Sequence, residues 1–396
     1  MGLAWPQLEH SDIIASPPLT RGKFLQDQQM GATGIMGKAA DDLLGAGAFS
    51  SRDELQDYFL QGVSRTFALT IPALPVALRA PISNGYLLCR IIDTIEDDPG
   101  LNLEQKCNFS RQFVRVVRGE SSASEFAREL GPRLTDAIIP SEKELIHYTA
   151  EVVRITHGLN ATQYEALTNC VETMAKGMMY FQTRQSLSGL RDVPEMEQYC
   201  YHVAGVVGEM LTQLYCDYSP RIAVNRDALM RLSVSFGQGL QMTNIIKDIW
   251  DDRRRGACWL PRNLFNRHGI ELSELSAGMN SRAFEEGLNE LIAIAHQRLY
   301  EALEYALLLP RNETGIRNFC LMAILMAVRT LKKVHQNQSF NEGLGVRISR
   351  TEVRRVMLLC RMNARSNIML RGLFYAAGRG MPRDKKIIAP KTALER

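Results

Sequence analysis

Tyr86-Leu87-Leu88-Cys89-Arg90-Ile91-Ile92-Asp93-Thr94-Ile95-Glu96-Asp97-Asp98 is an apolar run that ends in acid. Its period is helical. Positions three and four apart share one face of a helix, so Tyr86, Arg90, Asp93 and Asp97 form a stripe, with Glu96 beside them. About 150 residues later a second run has the same design: Gln241-Met242-Thr243-Asn244-Ile245-Ile246-Lys247-Asp248-Ile249-Trp250-Asp251-Asp252. There Gln241, Asn244 and Lys247 approach Asp248 in one helical frame, and Asp248, Asp251 and Asp252 gather at its end.

Carboxylates crowded on one helix face repel each other and need a counter-charge. A solvated helix end would meet that need for a single acidic run, since charge runs usually mark exposed faces. Two runs of matching spacing, both embedded in apolar sequence, point instead to facing acidic helices that hold Mg²⁺ and a diphosphate. Hard cations prefer carboxylate oxygens and share their shell with substrate phosphates. Arg90 lies one turn from the first cluster. Its guanidinium can pair with Asp93 or Glu96, and the same fork suits a phosphate.

Outward from these runs, most of the chain after Ser51 keeps a helical period. The pattern covers Leu55 to Phe67, Ile82 to Asp97, Glu142 to Thr156, Ala161 to Arg184, Met196 to Tyr215, Ala228 to Trp250, Ser281 to Leu309, Ile316 to Val334 and Arg350 to Tyr375. Strand-like alternation is scarce. The expected fold is therefore all-α, a single-domain bundle over residues 51–380 whose central apolar cavity opens at the carboxylates. Residues 1–50, rich in glycine with Pro17-Pro18, read as a loosely ordered extension, and 381–396 as a polar tail.

Composition narrows the function. The formal charge of +4 is mild, and no basic face interleaved with aromatics favours nucleic acid. Eight cysteines are scattered without metal-ligand spacing, as in a reducing compartment. The amino terminus lacks the order of a secretory signal, and no unbroken apolar stretch reaches the roughly 18 to 20 residues of a membrane span. A cytoplasmic monomer is expected, with a peripheral membrane contact admitted.

Five ordered blocks carry a resemblance: Ser64-Arg65-Thr66-Phe67, Tyr86 to Asp98, Tyr199-Cys200-Tyr201-His202-Val203-Ala204-Gly205-Val206-Val207-Gly208, Gln241 to Asp248, and Asn318-Phe319-Cys320. Over residues 51 to 370 the chain resembles the squalene and phytoene synthases, head-to-head prenyl transferases of the isoprenoid-synthase type. Asn318-Phe319-Cys320 and the His335 to Phe340 segment resemble the squalene-forming branch. The Tyr199 to Glu209 stretch is as similar to the phytoene-forming one. Eukaryotic members commonly end in a membrane anchor, whereas this chain ends in a polar segment, so a soluble bacterial type is implied.

The resemblance implies condensation of two farnesyl diphosphates to presqualene diphosphate, then reduction to squalene by NADPH. It assigns Mg²⁺ to Asp93, Glu96, Asp97, Asn244, Asp248 and Asp252, and substrate binding to Ser64, Arg65, Phe67, Arg90, Gln241, Asn244 and Lys247. Tyr86, Tyr201, Arg90 and Phe319 are the implied catalytic residues, with departing diphosphate an alternative base. Arg347 and Arg350 are the implied NADPH contacts; no Gly-x-Gly-x-x-Gly fingerprint is present, so NADPH rests on the resemblance alone.

Departures from the family pattern leave alternatives open. His202 stands where squalene synthases tend to carry tyrosine, and Lys247 where they often carry arginine. Arg253-Arg254-Arg255 either contacts diphosphate or caps its helix. The alternative products are presqualene diphosphate, dehydrosqualene and phytoene, made without hydride transfer. A diphosphate hydrolase and a non-catalytic prenyl-lipid binding protein are alternatives from other classes.

Overall fold

The computed structural model describes residues 49–277 and 281–383. The expected extension over 1–50 and tail over 381–396 thus fall almost wholly outside the described residues. Helices carry the fold. α1 (Arg52–Val63), α2 (Arg65–Thr70) and α3 (Val76–Asp97) are followed by α4 (Leu103–Val117), α5 (Ala123–Leu130), α6 (Pro140–His147), α7 (Thr149–His157) and α8 (Ala161–Gln182). α9 (Val193–Cys200) runs through a π-helical turn, Tyr201–Gly205, into α10 (Val206–Tyr218). After α11 (Pro220–Ala223) come α12 (Arg226–Lys247), α13 (Ile249–Arg254), α14 (Arg262–Asn266) and α15 (Arg282–Leu308). α16 (Thr314–Gln336), α17 (Arg350–Asn363) and α18 (Asn367–Ala377) complete the set. Among the described residues the one β-type pairing is an isolated bridge between Leu190 and Pro261.

Side-chain caps explain several boundaries that hydrophobic period misses. The expected helix from Leu55 to Phe67 is broken at Ser64, whose backbone is extended and whose hydroxyl accepts from the Phe67 N–H at 3.3 Å. That is an N-cap, and it starts α2. Ser366 likewise divides the expected Arg350 to Tyr375 helix by accepting from the Met369 N–H at 3.3 Å. Ser349 and Glu352 form a capping box at the head of α17. The expected Glu142 to Thr156 helix divides at Tyr148.

Three helices form the centre. α3 is buried continuously from Ala80 to Glu96, α12 from Ser235 to Lys247, and α16 from Ile316 to Val328. Such all-round burial matches the spread of apolar residues around these helices, rather than along one face. Asn84, fully buried in α3, donates to the Val152 carbonyl at 3.1 Å and to Thr156 Oγ1 at 2.7 Å, and accepts from Gln56 at 3.3 Å. This satisfied network ties α3 to α1 and α7. On the other side, backbones touch. A Cβ at Gly237 would lie 2.1 Å from the Ala204 carbonyl oxygen, and one at Gly208 would lie 2.1 Å from that of Ser233.

α16 qualifies as a membrane span by length and composition, with a mean hydropathy of 1.3. Its apolar character serves the core instead, because 83% of that window is buried inside the protein.

Candidate active site

A cavity lies between α2, α3, α10, α12 and α16; its empty space, open solvent included, is about 480 Å³. Phe67, Ile82, Tyr86, Met210, Phe236 and Phe319 are among its lining residues, and the lining is almost wholly apolar. Phe67 lies with its ring centroid 4.5 Å from that of Tyr86 and 5.8 Å from that of Phe319. Three of the sequence-predicted residues therefore meet in one aromatic wall.

The two acidic rows continue the helices that wall this cavity. On α3 the stripe runs from Ile82 and Tyr86, at the wall, to Arg90, Asp93 and Asp97. On α12 it runs from Phe236 and Leu240 to Asn244 and Asp248. Seven or eight residues of helix separate wall from acid in each case, a rise of about 10 to 12 Å. The rows face each other. Arg255, just past α13, reaches across to Asp97 with Nη1 3.8 Å from Oδ1.

Arg90 is held on three sides. Its Nη2 donates to the Tyr86 hydroxyl at 3.0 Å, its Nη1 lies 3.4 Å from Glu142 Oε1, and its guanidinium carbon stands 5.7 Å from the Tyr86 ring centroid. The Tyr86 hydroxyl in turn donates to the Val63 carbonyl at 3.2 Å. Burial pushes the Tyr86 phenol above its ordinary value, with Arg90 opposing. Ser64 is buried next to this pair and caps α2. The Arg65 side chain lies outside the described residues.

The carboxylates divide by role. Asp98 is structural: its oxygens accept from the Gly100 and Thr135 N–H groups, both at 2.7 Å. Asp251 accepts from the Gly343 N–H at 3.3 Å and pairs with Arg254. Asp93, Asp248 and Asp252 are buried, with side chains in the acidic gap. Burial pushes Asp93 up to about 7 even though Arg90 opposes the shift. Asp248 is raised by burial against the pull of Lys247, whose ammonium is 3.0 Å away. Asp252 is driven well up by burial and then by Asp248.

Buried carboxylates crowded in this way are relieved either by protonation or by a nearby cation. Asp252 Oδ2 and Gln241 Nε2 are buried without a hydrogen-bond partner among the described residues. At Gly343 a Cβ would fall 2.6 Å from Asp248 Oδ1, so the absent side chain leaves that oxygen room. Oxygen donors with unmet charge fit Mg²⁺. No three His, Cys, Asp or Glu side chains close into a one-ion cage among the described residues.

Two expected features are rearranged. The helix expected from Ala228 to Trp250 bends at Asp248 (φ −101°, ψ 15°), although the Asp248 and Asp252 N–H groups still bond four residues back. The helix expected from Met196 to Tyr215 contains the π turn, a form often found at functional sites. There Tyr201 is not among the cavity-lining residues; its hydroxyl donates to Glu209 at 3.2 Å, and burial followed by Glu209 pushes its phenol to about 12. His202 packs against Gly177, with Nδ1 3.2 Å from the Thr173 carbonyl oxygen, and burial lowers it below the usual histidine value.

Arg347 and Arg350 flank the head of α17, and Arg347 is near enough to Asp248 to lower it. Beside them Arg329 and Lys333 share Glu352 at 2.8 Å each. Within the arginine triplet, Arg253 donates to the Leu272 carbonyl at 2.7 Å and Arg254 pairs with Asp251, which leaves Arg255 as the member that spans the gap. Sequence reasoning did not separate the three, nor did it find Tyr199. That residue is fully buried, stacks on Trp259 with centroids 4.2 Å apart, and senses Glu96, Asp252 and Asp97.

The squalene/phytoene synthase family model matches residues 60–354. The chain belongs to that family. It is an all-α isoprenoid-synthase-type enzyme, and squalene synthases are among its curated relatives. The squalene synthase ERG9 of Gibberella zeae is 28% identical over 345 residues, 85% of this chain and 71% of that one. The squalene synthase of Schizosaccharomyces pombe is also 28% identical, over 70% of this chain, but only 58% of its own length is spanned. Among solved structures, TcSQS bound to the ligand BPH1237 superposes with a TM-score of 0.63 at 24% identity, covering 83% of this chain and 98% of that one, a likeness of fold.

Proposed function

We propose that this enzyme is a squalene synthase, joining two farnesyl diphosphates head to head into presqualene diphosphate and reducing that product with NADPH. The observation that carries the reading is the continuity of each stripe on α3 and α12, from aromatic cavity wall to buried carboxylates. A prenyl diphosphate has the same polarity along its length: a hydrocarbon chain for the cavity and a charged head for the gap.

Asp93, Glu96, Asp97, Asn244, Asp248 and Asp252 would hold Mg²⁺, and bound Mg²⁺ would neutralise diphosphate and favour ionisation of the C–O bond. The remaining roles belong to the chain. Arg90, fixed by Tyr86 and Glu142, presents its charge without reorganising. Lys247 and Arg255 lie within 4 Å of the acids and can turn to the arriving diphosphate. Phe67, Tyr86 and Phe319 present ring faces and edges around an allylic cation and exclude water from it. The Tyr86 hydroxyl stays protonated near neutrality, donating to the Val63 carbonyl and accepting from Arg90, neither of which can take its proton. Departing diphosphate is then the better base for the deprotonation that closes presqualene diphosphate.

Arg347 and Arg350 stand at the head of α17 beside Arg329 and Lys333, which share Glu352, and this group of cations at a helix N-terminus would suit the phosphates of NADPH. The deciding experiment incubates the purified protein with farnesyl diphosphate and Mg²⁺, with and without NADPH, and extracts the products for mass analysis. Presqualene diphosphate without the nucleotide and squalene with it are expected. Farnesol alone would make it a hydrolase; phytoene, dehydrosqualene or indifference to NADPH would remove the reductive step.

A further inference from the structure

Charge is unevenly spread along this chain. Residues 347–383 hold nine arginines against one carboxylate, a net +8 in a molecule of net +4. Among the described residues, the salt bridges of this region use Arg329, Lys333 and Arg371. Arg354, Arg355, Arg361 and Arg365 are exposed and take no part in them. The same helices expose aliphatic side chains: Leu358 at 59%, Met362 at 72%, Ile368 at 83% and Met369 at 52%.

Helical spacing gathers these residues. On α17, Arg354 and Arg355 lie three or four positions from Leu358, which lies as far from Arg361 and Met362, and Arg365 follows at the next turn. The short joint to α18 brings Ile368 and Met369 next. The inner faces, with Val353, Val356, Cys360, Leu370 and Phe374, are buried against the bundle. The outer faces are thus apolar residues rimmed by arginine on a rigid, well-anchored helix pair.

We propose that the outer face of α17 and α18 is a docking surface for an anionic lipid bilayer. Arginine-rimmed apolar helices lie in the headgroup layer, where aliphatic side chains enter the acyl boundary and cations meet lipid phosphate. Nucleic acid would use the charge but gain nothing from four exposed aliphatic residues. A second copy of this chain on the same face would set Arg354, Arg355, Arg361 and Arg365 against their own like charges.

The test is flotation of the full-length protein with vesicles of phosphatidylcholine alone or mixed with phosphatidylglycerol. Binding to the mixed vesicles, weakened by salt, is expected, with little binding to the neutral ones. The pair Arg354→Gln and Arg355→Gln should weaken it about 25-fold, from about fivefold per charge. Leu358→Ser with Ile368→Ser should weaken it at least about tenfold. Turnover in detergent, unchanged in both variants, shows that they fold. Equal binding by wild type and both variants would overturn the proposal. So would absence of vesicle binding, binding of RNA that survives the serine changes, or a dimer in light scattering that those changes dissolve.

Discussion

Asp93 and Asp248 sit where burial and function pull in opposite directions. Each is held in a low-dielectric gap that disfavours its charged form. For Asp93 the folded value of about 7 lies above the roughly 3.9 of an unfolded chain. The fold therefore favours the protonated acid, and that contribution is complete below about pH 4 and lost as pH rises towards 7. In the presence of a chelator the melting temperature should fall across that window, and Asp93→Asn should flatten the fall; an unchanged slope would place the pH response elsewhere. With Mg²⁺ and substrate, Asp93→Asn and Asp248→Asn should each lower turnover by about a hundredfold or more. Circular dichroism should show the helices intact. These carboxylates were legible because their spacing was regular. Arg255 was not, because its role depends on a reach to Asp97 that no local pattern encodes.

Helices tell a similar story one level up. Their existence and most of their extent follow from hydrophobic period, while their ends follow from single polar atoms such as the Ser64 and Ser366 hydroxyls. The π turn at Tyr201–Gly205 was not legible at all. It lies at a close tertiary contact, where Gly237 of α12 packs its backbone directly on Ala204. Gly237→Ala should accordingly destabilise the protein by about 1 to 3 kcal/mol through overpacking, read as a lower denaturant midpoint at constant m-value. A tolerated alanine would mean the helices slide apart at no cost. At the α16–α17 junction, burial would raise Glu352, but Lys333, Arg329 and Ser349 outweigh it and hold the carboxyl at about 2. That contribution is present above about pH 4.3 and lost as pH falls towards 2. Glu352→Gln should cost about 1 kcal/mol, discounted for partial exposure, measured by urea titration at neutral pH and absent at strongly acid pH.

Across the whole molecule, acid and cavity belong to one construction, so charge neutralisation and folding are coupled. Mg²⁺ and inorganic diphosphate added together should raise the melting temperature, approaching the roughly 2.7 kcal/mol expected at a hundred times the dissociation constant. Either added alone should do much less; equal shifts from diphosphate alone would make the acids bystanders. The all-α class was readable from the sequence because almost every segment carries one period. The depth of α3, α12 and α16 was not, since apolar runs look alike whether they line a core or a cavity. The acidic gap also has a dye beside it. Of three tryptophans in the chain, Trp259 is stacked on Tyr199 next to the gap, whereas the ring of Trp250 packs on Phe284 and Phe340. The Trp259 indole is buried, at 6% exposure. A change in its ultraviolet emission during a titration in an ordinary fluorimeter would follow what enters the gap without any label.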